Sequence, residues 1–166
     1  MKILHRIRDG LMAIIGSGAI ILLGLMTVVG TWQILSRYAF GKPSTVSEEL
    51  LTYSFAWMAL LASCYVFAKR DHMRMAFLAD KTGGRTRKIL ELTGDILTFG
   101  FAAVVMTYGG MEITRLTMTQ VTASLQIPMG YVYVILPVSG IFVMFFSLVN
   151  ALDTLQKSFD GREEQP

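Results

Sequence analysis

The sequence is short of the residues that carry most enzyme chemistry. Its two histidines, His5 and His72, fall outside the apolar runs, so the chain cannot build an intramembrane bis-histidine haem site by itself. The single cysteine, Cys64, has no partner for an internal disulfide and offers no metal site; a small packing residue is expected. No glycine-rich phosphate loop is present, and no serine, histidine and aspartate converge into a credible triad. An enzyme is therefore not expected, nor a cofactor or a metal. Charge is scarce too: only 16% of the 166 residues are Asp, Glu, Lys or Arg, against 53% hydrophobic, and the mean hydropathy is +0.52. Soluble domains carry about 25% charged residues, so an ordinary water-facing surface is excluded.

What is present comes in runs. Leu11 to Ser36 carries no charge; as a helix it is about 39 Å long, enough to cross a hydrocarbon core of about 30 Å with some tilt. A second uncharged run covers Leu50 to Ala68, and a third Ile96 to Met111. The third extends back through Leu92, Leu90 and Ile89 if Glu91 and Asp95 face protein or the interface. Leu116 to Leu152 is again uncharged, too long for one crossing and too short for two. Its threonine- and glutamine-rich first part reads as a connection, and Ile127 to Asn150 as an apolar helix. The expectation is an all-α integral membrane protein, one domain over residues 1–166, with four transmembrane helices near 11–36, 48–68, 89–111 and 128–150. Lys2, Arg6 and Arg8 ahead of the first run give it a signal-like start, but the run exceeds a signal core of about 7–15 residues. A retained anchor is the expectation.

Basic residues predict orientation, because short cytoplasmic loops carry their excess. Lys2, Arg6 and Arg8 precede the first span, seven lysines and arginines lie between Lys69 and Lys88, and Lys157 and Arg162 follow the last span. The opposite side has only Arg37, Lys42 and Arg115. Both termini are thus expected in the cytoplasm. The same distribution explains the net charge of +3 as membrane anchoring to lipid headgroups and leaves nucleic-acid binding without support. The first residues read either as a short interfacial helix or as a frayed basic end.

Between the first two spans lies Arg37-Tyr38, a turn with Gly41 and Pro43, then Glu48-Glu49. Thr45 stands three residues before Glu48, the spacing of a capping box, in which the threonine oxygen accepts a free N–H and Glu48 reaches back to the cap. Glu49 gains from the positive end of the same helix. The second reading adds a partner: Arg37 shares a depth with the glutamates and can pair with them, or all three can pair with another subunit. Trp57, deeper in the second span, offers an indole N–H to the bundle or to a partner, or packs as bulk. Pro137 is expected to free the carbonyl near position 133 and bend the fourth span. Ala13 with Ser17, the segment Gly16 to Ala19, and Ala56, Ala59 and Ser63 have small-residue spacings that suit a protein-facing side. No ionisable group lies at the centre of the first, second or fourth span, so a self-sufficient four-helix carrier is poorly equipped.

These residues carry a resemblance. Arg37-Tyr38, the Pro43 turn, Glu48-Glu49-Leu50 and the aromatic-rich span with Trp57 resemble the small membrane subunit of tripartite ATP-independent periplasmic (TRAP) transporters, the DctQ-like family. The continuation is similar: Lys69 to Arg74 with His72, then Met73 or Met75, and later Leu125 to Pro128 with Tyr131, Tyr133 and Pro137. Many relatives carry a tryptophan shortly before the glutamate pair, where this chain has Thr45-Val46-Ser47.

The resemblance implies a small scaffold subunit in the bacterial inner membrane. It would hold a large multi-span permease subunit that binds substrate and coupling sodium, with a periplasmic substrate-binding protein delivering an organic acid. It further implies that Arg37, Glu48 and Glu49 match the family's charged positions. A membrane-anchor or assembly subunit of some other complex, such as a respiratory enzyme, is the alternative from another class.

Overall fold

In the computed structural model, which describes residues 2–69 and 84–159, apolar helices account for most of the described residues. Helix α1 covers Lys2–Ala39, α2 Thr45–Lys69 and α3 Gly84–Phe101. A π-helical segment, Ala102–Gly109, joins α3 to α4, Gly110–Thr117; α5, Gly130–Tyr133, leads into α6, Ile135–Phe159. Among the described residues, four stretches are long and apolar enough to cross a membrane: Leu4–Ala39, Thr45–Lys69, Leu92–Thr117 and Gly130–Leu155. The segment containing His72 and the tail containing Arg162 lie outside the described residues.

Two ends differ from the sequence expectation. The first helix begins at Lys2 without a separate interfacial turn. Its first residues continue the packed stripe of the span, and Asp153 of α6 holds them: His5 Nε2 and Arg8 lie 3.3 Å and 3.7 Å from its carboxylate. The third span continues past Met111 to Thr117. Glu112 and Arg115, which end the uncharged run, pair across one turn at 3.7 Å, so they do not break the helix.

The helices pack in the order α1, α2, α6, α3, with the fourth span at the centre. Of its most apolar window 44% is buried, against 6% for the first span and 11% for the second and third. Helix α1 is covered along one stripe, Ile15, Ala19, Leu22, Met26, Val29, Gln33 and Ser36, at alternating steps of four and three. That spacing lets two helices follow each other with a shallow crossing. The other faces of α1 are open, with Ile20, Ile21 and Val28 among its exposed side chains. Cys64, Ala102, Val143 and Phe146 form the innermost contact, joined by Ile15 and Ala68.

Polar side chains inside this core are spent on backbone carbonyls. The Ser147 hydroxyl donates to the Asp95 carbonyl at 2.5 Å, the Asn150 amide to Phe67 at 3.3 Å, and the Cys64 thiol lies 3.5 Å from the Ser139 carbonyl. Spans three and four approach closely through glycine. A Cβ at Gly110 would stand 2.9 Å from the Pro137 ring, and one at Gly140 2.6 Å from the Thr107 hydroxyl. Thr107 itself donates to the Ala102 carbonyl five residues back, at 2.9 Å, within the π-helical segment.

Candidate functional site at the rim of the bundle

The residues singled out between the first two spans gather at the end of the bundle away from the termini. Helix α1 ends at Ala39, and Gly41 just beyond it takes a φ of +64°, which favours a residue without a Cβ. Lys42 N–H returns to the Ser36 carbonyl at 3.1 Å, and the Ser36 hydroxyl donates to the Lys42 carbonyl at 2.6 Å. The cap of α2 is Ser44, one residue earlier than the expected Thr45. Its oxygen accepts from the Ser47 N–H at 3.3 Å and from the Ser47 hydroxyl at 3.0 Å. Helix starts are read from the third N–H, and here that donor belongs to Ser47. Thr45 is consequently the first helical residue and Glu48 lies one position too far along for a capping box.

Glu49 points into its own chain. One carboxylate oxygen accepts the Tyr53 hydroxyl at 2.6 Å; the other accepts the backbone N–H groups of Ser124 at 2.8 Å and Leu125 at 2.9 Å. Ser124 and Leu125 lie on the connection between the third and fourth spans, which is a tight hairpin. Thr122 N–H bonds the Ile127 carbonyl at 2.9 Å, Met129 N–H bonds Gln120 at 2.8 Å, and Val121 pairs with Pro128. Gln126 turns the tip with φ of 55°, the only positive φ at a non-glycine among the described residues. The two N–H groups at Ser124 and Leu125 point out of this turn, and the carboxylate fills the concavity they make.

Trp57 repeats the arrangement two turns further along α2. Its indole N–H donates to the Val132 carbonyl at 2.9 Å, beside the interruption of the fourth span at Val134. Pro137 follows three residues later and has no N–H for the Tyr133 carbonyl. Glu49, Tyr53 and Trp57 are spaced by four and four, so one stripe of α2 carries three polar side chains, each tied within the chain.

The arrangement is a clamp. Arg37 and Glu48 do not join it: both are exposed, and among the described residues neither makes an ion pair. Pairing of Arg37 with the glutamates, one of the alternatives left open by the sequence, is therefore not made. The small residues also divide. Gly16 and Gly18 face α2, whereas Ala13, Ser17, Ala56 and Ser63 are exposed on the outside of the bundle.

Residues 26–157 match the family described as tripartite ATP-independent periplasmic transporters, DctQ component. The chain belongs to this DctQ family. It is 27% identical over 156 residues to the sialic acid TRAP transporter small permease protein SiaQ of Vibrio cholerae, covering 94% of this chain and 88% of the relative. Two TRAP transporter small permease proteins of Haemophilus influenzae, each named as putative, are 22% and 25% identical over 140 and 135 residues. They cover 84% and 80% of this chain, and 86% and 81% of their own lengths.

DctQ-type small permease subunits are non-catalytic, and no group of three or more His, Cys, Asp or Glu is arranged for a metal ion among the described residues. What sequence reading missed at the DctQ rim is the donor side of the clamp: the Tyr53 hydroxyl and the backbone N–H groups of Ser124 and Leu125. The available signal was the i, i+4, i+8 spacing of Glu49, Tyr53 and Trp57.

Proposed function

We propose that this TRAP small membrane subunit is the stationary scaffold of a sodium-coupled importer of an organic acid in the bacterial inner membrane. A large multi-span permease subunit carries the substrate and ion sites, and a periplasmic substrate-binding protein delivers the cargo. The observation that carries this reading is the family match over residues 26–157 on a bundle whose polar side chains are consumed internally. A bundle held together this way is suited to bracing a moving neighbour and poorly suited to binding an anion among its own helices. The Vibrio cholerae relative is named for sialic acid, an acidic sugar, which supports an organic acid as cargo.

Both termini lie in the cytoplasm by the distribution of lysine and arginine, twelve on the terminal side against Arg37, Lys42 and Arg115 on the other. The clamp then faces the periplasm. Arg37 and Glu48, exposed and free of ion pairs among the described residues, are among the charged side chains at that rim available to a partner. Glu49 and Trp57 act as contacts within the subunit.

A photo-crosslinking residue at position 37 or 48, in native membranes that hold the whole transporter, tests the partner. The expected adduct is a large permease subunit. Adducts with lipid or with a second copy of this chain alone would remove these residues from the interface.

A further inference from the structure

We infer that the bundle crosses the bilayer with its helices leaning together by about 30°, so that the lipid belt runs obliquely across the row α1, α2, α6, α3. This goes beyond the scaffold reading and does not depend on it, because it follows from the register of the four spans against one another.

The register is set by contacts. Gly18 of α1 faces Leu61 of α2, and Gly16 faces Tyr65. Helix α2 and the fourth span run parallel, and around the middle of α2 the partners stand 75 residues apart, Trp57 with Val132 and Cys64 with Ser139; further along, Asn150 reaches back to Phe67. Leu61 is accordingly level with Leu136. A Cβ at Gly110 would stand 3.0 Å from the Leu136 Cβ, which brings the third span to the same level. Gly18 and Gly110 thus share one height in the bundle.

Their surroundings along the chain do not match. From Gly18 toward the clamp end, α1 stays uncharged as far as Ser36, whereas the third span reaches Glu112 two residues beyond Gly110. In the other direction the third span is uncharged back to Ile96, and α1 only to Leu11. The uncharged stretches are centred near Gly24 in α1 and near Ala59 in α2, which is level with Ile21. The corresponding centre of the fourth span is near Gly140, level with Gly16. That of the third span is near Ala103, roughly twelve residues, or about 18 Å, below the centre of α1. The displacement grows in one direction across the whole row.

An upright bundle cannot satisfy all four stretches. It would hold the exposed Glu112 and Arg115 pair, with side chains 48% and 72% accessible, level with the middle of the α1 apolar run, where charge is costly. A displacement of about 18 Å across three helix spacings of about 9 Å is removed by a lean of about 30° within the row. The same lean shortens the projection of the α1 run from about 39 Å to about 34 Å, close to a hydrocarbon core of about 30 Å. An upright helix of a neighbouring membrane protein would cross this surface at the same angle.

The test uses the full chain in nanodiscs of phosphatidylcholine and phosphatidylglycerol, with nitroxides on single cysteines in a Cys64→Ser background. Depth is read from oxygen against nickel-chelate collision rates. Leu25→Cys in α1 and Leu116→Cys in the third span are level in the bundle to within one residue, and Ile7→Cys and Leu97→Cys to within two, and all four native side chains are exposed.

The lean predicts position 25 near the bilayer centre and position 116 at the headgroups, with position 97 in hydrocarbon and position 7 in water. Within each pair the depths differ by roughly 13 Å. Equal depths within the pairs overturn the inference, and either pair decides if a variant of the other fails to fold.

Discussion

The Glu49 carboxylate accepts the Leu125 backbone N–H at 2.9 Å across a sequence separation of 76 residues. This contact joins the start of the second span to the hairpin between the third and fourth. Glu49→Ala should expose the Ser124 and Leu125 amides, which then exchange hydrogen faster while amides in the centre of α6 keep their protection. Glu49→Gln should fall between, since its amide keeps one acceptor oxygen where the carboxylate offers two. Unchanged exchange in the alanine variant would show that the hairpin holds itself.

Trp57 separates bulk from hydrogen bonding. Trp57→Phe keeps an aromatic ring and leaves the Val132 carbonyl without its donor, which should cost about 1 kcal/mol. Trp57→Ala should cost about 3 kcal/mol or more through lost packing. Reversible unfolding in detergent measures both, and equal losses would mean that the N–H contributes nothing.

Gly110→Ala forces a methyl to 2.9 Å from the Pro137 ring, and Gly140→Ala forces one to 2.6 Å from the Thr107 hydroxyl and 3.0 Å from the Thr107 backbone nitrogen. Each should lose about 1–3 kcal/mol. Gly24→Ala and Gly94→Ala, where no atom lies within 4 Å of the added methyl, should be neutral or gain slightly in the same measurement.

The start of α2 offers a comparison of adjacent residues. Ser44→Ala removes the oxygen that receives the Ser47 N–H and should cost about 1 kcal/mol. Thr45→Ala, at the first helical position, should change stability far less. The reverse order would restore the cap to Thr45.

The four crossings were legible because uncharged runs such as Leu11 to Ser36 have few stable alternatives in a chain this apolar. Their ends were not, because a charge stops a hydropathy run without stopping a helix once it finds a partner, as Glu112 does with Arg115 and Arg8 with Asp153. Glu49 was legible as a carboxylate at a helix start, yet its partners are backbone N–H groups of Ser124 and Leu125, which carry no mark in the sequence. The spacing of Ala13 with Ser17 predicted a packed side, whereas close approaches use Gly110 against Pro137, Gly130 against Met118 and Thr114, and Gly140 against Thr107. Small-residue spacing indicates where two backbones are able to meet, and the register of the spans decides which of those places they use.

The central claim is that this subunit braces other proteins and does not carry solute itself. Uptake of labelled organic acid into proteoliposomes under a sodium gradient tests it directly, with this chain alone and with the large permease and the binding protein added. The account predicts uptake in the complete system and none above protein-free vesicles with this chain alone; uptake driven by this chain alone would contradict it.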